Sequence, residues 1–260
     1  MFLALKPLIN NDELMLKVEH SLASTQYIIN EKTLMSWFMD DFAVRFCWSS
    51  NAIEGNTLSL EETIALVEYD EVSAGHTYTE YQEAKNLFRA IQESMLPFTP
   101  QPITEDWIKK SNGTIRGTDG AYRTIPLRVG TQFETVYFPP DHEQVPALMQ
   151  VYMEKVNFTA ETFAEIVELT VRSHLHFERI HPFADGNGRT GRMILNQQLI
   201  NHGLLPITIH KNSDYRQAFM RYDKNGDISL MVHVVLDGER EALQRLKDFQ
   251  EKASPKNFNP

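Results

Sequence analysis

Apolar residues return at helical intervals along most of the chain. Over residues 31–53, Leu34, Phe38, Phe42 and Phe46, with Ser50 continuing the stripe, fall a turn apart with no interior Gly or Pro, which predicts a long helix. Glu54-Gly55-Asn56 is a plausible stop. Ser59 and Glu62 have the spacing of a capping box, each side chain satisfying a backbone N–H of the other, and predict a helix through Val67. A further helix over 78–94 ends before Pro97, Pro100 and Pro102, and Thr104 caps a short one carrying Trp107 and Ile108. Between 113 and 140 the character changes. Four glycines (Gly113, Gly117, Gly120, Gly130) and the β-prone run 131–138 before Pro139-Pro140 predict a hairpin. Helical spacing resumes over 145–156, 159–177, 189–202, 213–222 and 230–247. The expected class is mainly α, with one hairpin.

At 260 residues the chain suits one domain, large enough to bury a core without disulfide or metal staples. We divide it into an N-terminal extension (1–30), a main domain (31–250) and a polar tail (251–260) expected to be disordered. With 25 basic and 35 acidic residues the net charge is −10, which argues against general nucleic-acid binding and leaves any anion site to local structure. Cys47 is the only cysteine, which excludes an intramolecular disulfide and a thiolate zinc cluster; beside Trp48 it reads as packing. The apolar start, Met1 to Leu5, stops at Lys6-Pro7, too short for a signal or a membrane span, so the expected location is the cytoplasm.

Three of the 12 glycines, Gly186, Gly188 and Gly191, fall in His181-Pro182-Phe183-Ala184-Asp185-Gly186-Asn187-Gly188-Arg189-Thr190-Gly191-Arg192. Pro182 disfavours helical geometry at His181, so one helix must stop there and the next begin at the glycines. Backbone N–H groups at such a helix start suit a phosphate. Arg189 and Arg192, three apart, share a face and can grip the same anion. Asp185 offers a hard oxygen to Mg²⁺, and His181, titrating near neutrality, can take a proton from a hydroxyl. Each feature alone is commonplace. Their convergence within twelve residues is not. A P-loop reading fails, because Arg192-Met193 stands where Lys-Ser/Thr is needed and a helix rather than a strand precedes.

The stretch resembles the signature of Fic-domain proteins, His-Pro-Phe-x-Asp/Glu-Gly-Asn-Gly-Arg-x-x-Arg, at every specified position. The resemblance implies a Fic fold: a helical core with a β-hairpin flap beside the active-site loop. It implies transfer of AMP from ATP to a Ser, Thr or Tyr hydroxyl of a protein, with His181 as general base and Asp185 holding Mg²⁺. Gly186, Asn187 and Gly188 would form the anion hole and Arg189 and Arg192 take the outer phosphates, with Thr190 and Gly191 inside the same nucleotide-binding stretch. Phe183 would anchor the loop, and Tyr215 resembles an aromatic on the nucleoside side, although a helical Tyr is more often core. The related Doc kinases have Lys in place of Gly188.

Ser50-Asn51-Ala52-Ile53-Glu54-Gly55 is similar to the family's inhibitory motif, Ser/Thr-x-x-x-Glu-Gly/Asn, which implies a restraining helix over about 35–55 with Glu54 on Arg192. The region Gly120-Ala121-Tyr122-Arg123 to Met149 resembles the flap, on which a protein substrate would dock by strand addition. Two alternatives stay open: a hydrolase removing AMP with Glu54 as a productive group, and a nucleotide-sensing module that seldom turns over. Self-modification, self-association and a donor other than ATP also stay open. No membrane or nucleic-acid partner is expected. Asp223-Lys224-Asn225-Gly226-Asp227 is not an EF-hand, which would need Gly where Ile228 stands and Glu where Val234 stands. His174 and His176 are about 200° apart on a helix and cannot share a metal from one face.

Overall fold

The computed structural model describes residues 9–130, 135–210 and 213–253. It is mainly α, with ten α-helices among the described residues and one short antiparallel pair of strands. In chain order these are α1 (Asp12–Ile29), α2 (Lys32–Ile53), α3 (Leu60–Tyr69), α4 (Tyr78–Ser94), α5 (Glu105–Arg116), β1 (Val129–Gly130), β2 (Thr135–Tyr137), α6 (Val145–Val156), α7 (Phe163–Ile180), α8 (Asn187–Asn201), α9 (Ser213–Asn225) and α10 (Ser229–Ala253).

The capping box at Ser59 and Glu62 is present, and equivalent boxes start α4 (Thr77, Glu80) and α7 (Thr162, Glu165). The last of these moves the start of α7 to Phe163, later than the 159 expected from periodicity, and α7 runs on to Ile180. The α8 helix opens two residues before the expected 189, because Gly186 already turns the chain. The strands pair Val129 with Tyr137 and Gly130 with Thr135 around a bulge. The hairpin is therefore shorter than the run predicted, and its tip, 131–134, lies outside the described residues, as does the tail from 254.

The α8 helix is the axis of the molecule. Every residue from Arg189 to Ile200 is buried, polar ones included. Such a helix must satisfy its polar side chains internally: Gln198 Nε2 donates to Val156 O and Ser173 Oγ, and Asn196 Oδ1 accepts from the Ile207 N–H. A large apolar cluster drawn from α1, α2, α4, α7, α8 and α10 packs on one side. A smaller one, including Ile103, Met149, Phe177, Phe183 and Ile194, packs on the other. The N-terminal extension joins the larger cluster through Val18 and Ile28 of α1. Cys47 is wholly buried, which pushes its thiol up to about 12, in keeping with packing. No helix among the described residues is long and apolar enough to cross a membrane.

Candidate active site

The site forms where α7 hands over to α8. His181 caps α7 in the left-handed conformation (φ 51°, ψ 59°), its N–H bonded to Phe177 O at 3.0 Å, and Pro182 bars it from continuing the helix. Asn187 then laces the loop with its side-chain amide, Oδ1 accepting from the Phe183 N–H (2.9 Å) and Nδ2 donating to Phe183 O (2.8 Å). Phe183 is 1% exposed, so the loop is anchored in the smaller cluster. Gly186 takes φ 80°, open to glycine without strain, and ends the loop.

The N–H groups of Asn187, Gly188 and Arg189, in the first turn of α8, have no intrahelical acceptor, an arrangement that can cradle an anion. Thr190 and Gly191 lie behind it, not on it. The Thr190 N–H is already bonded to Gly186 O at 3.0 Å, and its hydroxyl accepts from Asn112 Nδ2 on α5. Gly191 faces α7, where a β-carbon would collide with Glu178 Oε1. Gly188 differs: a β-carbon there would collide with Glu54 Oε1 and stand 3.0 Å from Arg192 Nη1. A carboxylate of the chain thus lies against the cradle.

Arg192 is 2% exposed, and the end of α2 takes the Nε and Nη2 donors of its guanidinium. Its Nε donates to Ser50 Oγ (2.8 Å), and its Nη2 donates to Ser50 O (2.9 Å) and Glu54 Oε1 (2.7 Å). Glu54 is the C-cap residue of α2, and the one-turn spacing of Ser50 and Glu54 aims both at the same cation. Burial raises the Glu54 carboxyl, but Arg192, with Arg189 and His181 further off, outweighs this and leaves it below the usual range. Behind Arg192, His174 and Tyr215 complete its surroundings. His174 Nδ1 lies 3.2 Å from Gly191 O, which can only accept, so Nε2 receives the Tyr215 hydroxyl at 2.9 Å. The Tyr215 oxygen then accepts from Arg192 Nη1 at 3.4 Å. Tyr215, expected on the nucleoside side, is 3% exposed and touches Arg192, one of the two arginines of the site. His174 is fully buried, while His176 is half-buried edge-on to Tyr152.

Arg189 is also 2% exposed, its Nη1 lying 3.3 Å from Glu83 Oε1 and 3.4 Å from Asn51 Oδ1. Asp185 stands at the rim, 57% exposed, paired with Arg116 Nη2 at 3.0 Å. Beside His181, burial outweighs every nearby charge and lowers the imidazole to about 4. Its Nδ1 lies 3.3 Å from Glu178 O, so the proton sits on Nδ1 and Nε2 keeps its lone pair.

Sequence reasoning missed the residues that brace this loop. Arg123 donates to three backbone carbonyls, His181 O (2.8 Å), Ile125 O (3.2 Å) and Pro140 O (2.5 Å), tying the loop to the base of the hairpin. Asn112 Nδ2 holds Asp185 O at 3.0 Å. Asn112 and Arg116, four apart on α5, carry the one available sequence signal.

Known proteins agree with this architecture. The profile of the Fic/DOC family matches residues 102–199. The protein adenylyltransferase Fic of Nematostella vectensis is 30% identical over 197 residues, 72% of this chain and 45% of that protein. The protein adenylyltransferase fic-1 of Caenorhabditis elegans is 25% identical over 239 residues, 90% and 47% of the two chains. The chain thus spans about half the length of these curated relatives. Among solved structures, a Fic domain containing signaling protein from Bacteroides thetaiotaomicron superposes with a TM-score of 0.77 at 24% identity, over 93% of this chain and 98% of that one. A Fic family protein from Desulfovibrio desulfuricans gives 0.76 at 24%, over 96% and 79%. At such identity these two speak for the fold. The α7–loop–α8 core, the matched profile and the curated relatives together establish that the chain belongs to the Fic/DOC family.

Proposed function

We propose that the chain transfers AMP from ATP to a Ser, Thr or Tyr hydroxyl of a protein, and that Glu54 restrains it. One observation carries the reading: a half-buried, neutral imidazole, its Nε2 without a hydrogen-bond partner among the described residues, ends the helix that leads into a helix-start anion cradle backed by two arginines. The names of the curated relatives support the same chemistry.

In this mechanism His181 Nε2 takes the proton from the attacking hydroxyl, whose oxygen bonds to the α-phosphorus as the bond to pyrophosphate breaks. The Asn187, Gly188 and Arg189 N–H groups and the two guanidinium groups hold the phosphates through charge-assisted bonds. Asp185 fits a Mg²⁺ ion, being an exposed hard-oxygen donor of the kind that shares this ion with phosphates, and it would be the residue that holds it. Bound there, the ion would neutralise phosphate charge. A protein substrate would add a strand beside β1 and β2.

The restraint follows from competition. Glu54 occupies Arg192 and lies against Gly188, so a triphosphate must displace it to seat its outer phosphate. Intact-mass analysis after incubation with ATP and Mg²⁺ tests both parts: Glu54→Gly gains adducts of one AMP on itself or an added protein, wild type gains far fewer, and Glu54→Gly/His181→Ala gains none. Adducts that survive His181→Ala would overturn the assigned base.

A second reading, removal of AMP with Glu54 as the productive carboxylate, is favoured by its 38% exposure and its electrostatic reach to His181. Release of AMP from a modified protein by wild type, abolished in Glu54→Gly, would select it.

A further inference from the structure

A third guanidinium reaches the rim of the cradle. Arg116 is the last residue of α5, and its stem lies over Gly186, where a β-carbon would stand 3.1 and 3.2 Å from its Cγ and Cδ. Its head, 33% exposed, pairs with Asp185 Oδ2 at 3.0 Å and approaches Glu83 Oε1 at 3.9 Å. The same Glu83 oxygen lies 3.3 Å from Arg189 Nη1, and Arg189 Nη2 lies 3.7 Å from Asp185 Oδ1. Two arginines and two carboxylates therefore alternate in a closed ring at the mouth of the site.

A cation at a helix C-terminus is ordinarily a solvated partner of the helix dipole. Arg116 is not placed that way. Asn112, a turn earlier, donates to Asp185 O and Thr190 Oγ1, so this face of α5 is aimed at the loop and α8. The closest anion to Arg116, Asp185, is the carboxylate that the adenylyl-transfer reading gives to a metal ion. An oxygen committed to such an ion is a poorer acceptor for a guanidinium, and a polyphosphate at the rim offers better ones.

We propose that Arg116 is a further polyphosphate-binding residue, which pairs with Asp185 when no nucleotide is bound and passes to the nucleotide when one is, while Glu83 keeps Arg116 and Arg189 in register. This rests on the reading of the cradle as an ATP site. The test is calorimetric titration of the full chain with ATP, with and without Mg²⁺, in the Glu54→Gly background, comparing Arg116→Gln and Arg116→Lys. Arg116→Gln is expected to weaken ATP roughly tenfold or more and Arg116→Lys to recover most of the loss. The melting midpoint of the nucleotide-free protein should not change. ATP affinity within about twofold of the parent overturns the proposal. So does a loss that comes with a lowered melting midpoint and is not restored by lysine, which would make Arg116 a brace. Absence of ATP binding by Glu54→Gly itself removes the cradle reading first.

Discussion

His181 and Glu178 sit three residues apart at the end of α7, and burial moves them in opposite directions: the imidazole down to about 4 and the carboxyl up to about 7. In the proposed mechanism the active form of His181 is the unprotonated one, so lowering its pKa extends that form to lower pH. Glu54 is one of the charges that raise it, so in Glu54→Gly the acid limb of kcat/KM is expected at about pH 4 or lower, well below the ordinary histidine value of about 6.5. A pH–rate profile breaking at the ordinary value would disprove either the burial or the role. The twelve-residue stretch 181–192 was legible because the groups that meet there are contiguous. Gly188 and Gly191 look alike in sequence, yet one makes room for Glu54 and the other for Glu178, a distinction that requires knowing which helix each faces. Arg123, Glu83 and Arg116 were not legible as site residues, because what they bind is supplied by folding. Arg123 holds a carbonyl 58 positions away, and Glu83 meets Arg189 across 106.

At the scale of elements, caps decide more than periodicity. The long helix over 31–53 was readable from its phenylalanine stripe, and it appears as α2, started by the Glu31 side chain on the Thr33 and Leu34 N–H groups. The start of α7 was misjudged because its apolar stripe says nothing about Thr162, whose hydroxyl accepts from the Glu165 N–H at 3.2 Å. Thr162→Ala removes that acceptor and should lower stability by about 1 kcal/mol, read as a shifted urea midpoint with unchanged slope. The cap lies at the far end of α7 from His181, so ATP affinity should not follow. Burial on every side of α8 was also hidden, since nothing in the sequence shows that Asn196, Gln197 and Gln198 find hydrogen-bond partners in other elements.

For the molecule as a whole, the mainly helical class and the place of the hairpin followed from spacing and from glycine and proline. The role of α1 did not, because residues 1–30 carry no motif and Val18 and Ile28 gain meaning only against α10 and α2. Nor did Glu239, in the middle of α10, which is fully buried with both carboxyl oxygens lacking a side-chain hydrogen-bond partner among the described residues. Burial raises its pKa well above the usual value, so the folded state holds a proton there that the unfolded state releases above about pH 4.5. Stability therefore falls as pH rises from that point until Glu239 ionises in the folded state. Glu239→Gln should raise the melting midpoint at about pH 8 and change it little near pH 4; an equal gain at both would refute the protonated carboxyl. The same economy of charge governs the contact between α2 and α8. Arg192 is too deep to be left without a counter-ion, and the chain provides one in Glu54 at the end of α2, 138 positions away, which under the proposed reading stands in for a phosphate of the ligand. With that carboxylate removed, Arg192 is left open to an anion from solution, and inorganic phosphate is expected to raise the melting midpoint of Glu54→Gly more than that of the wild type.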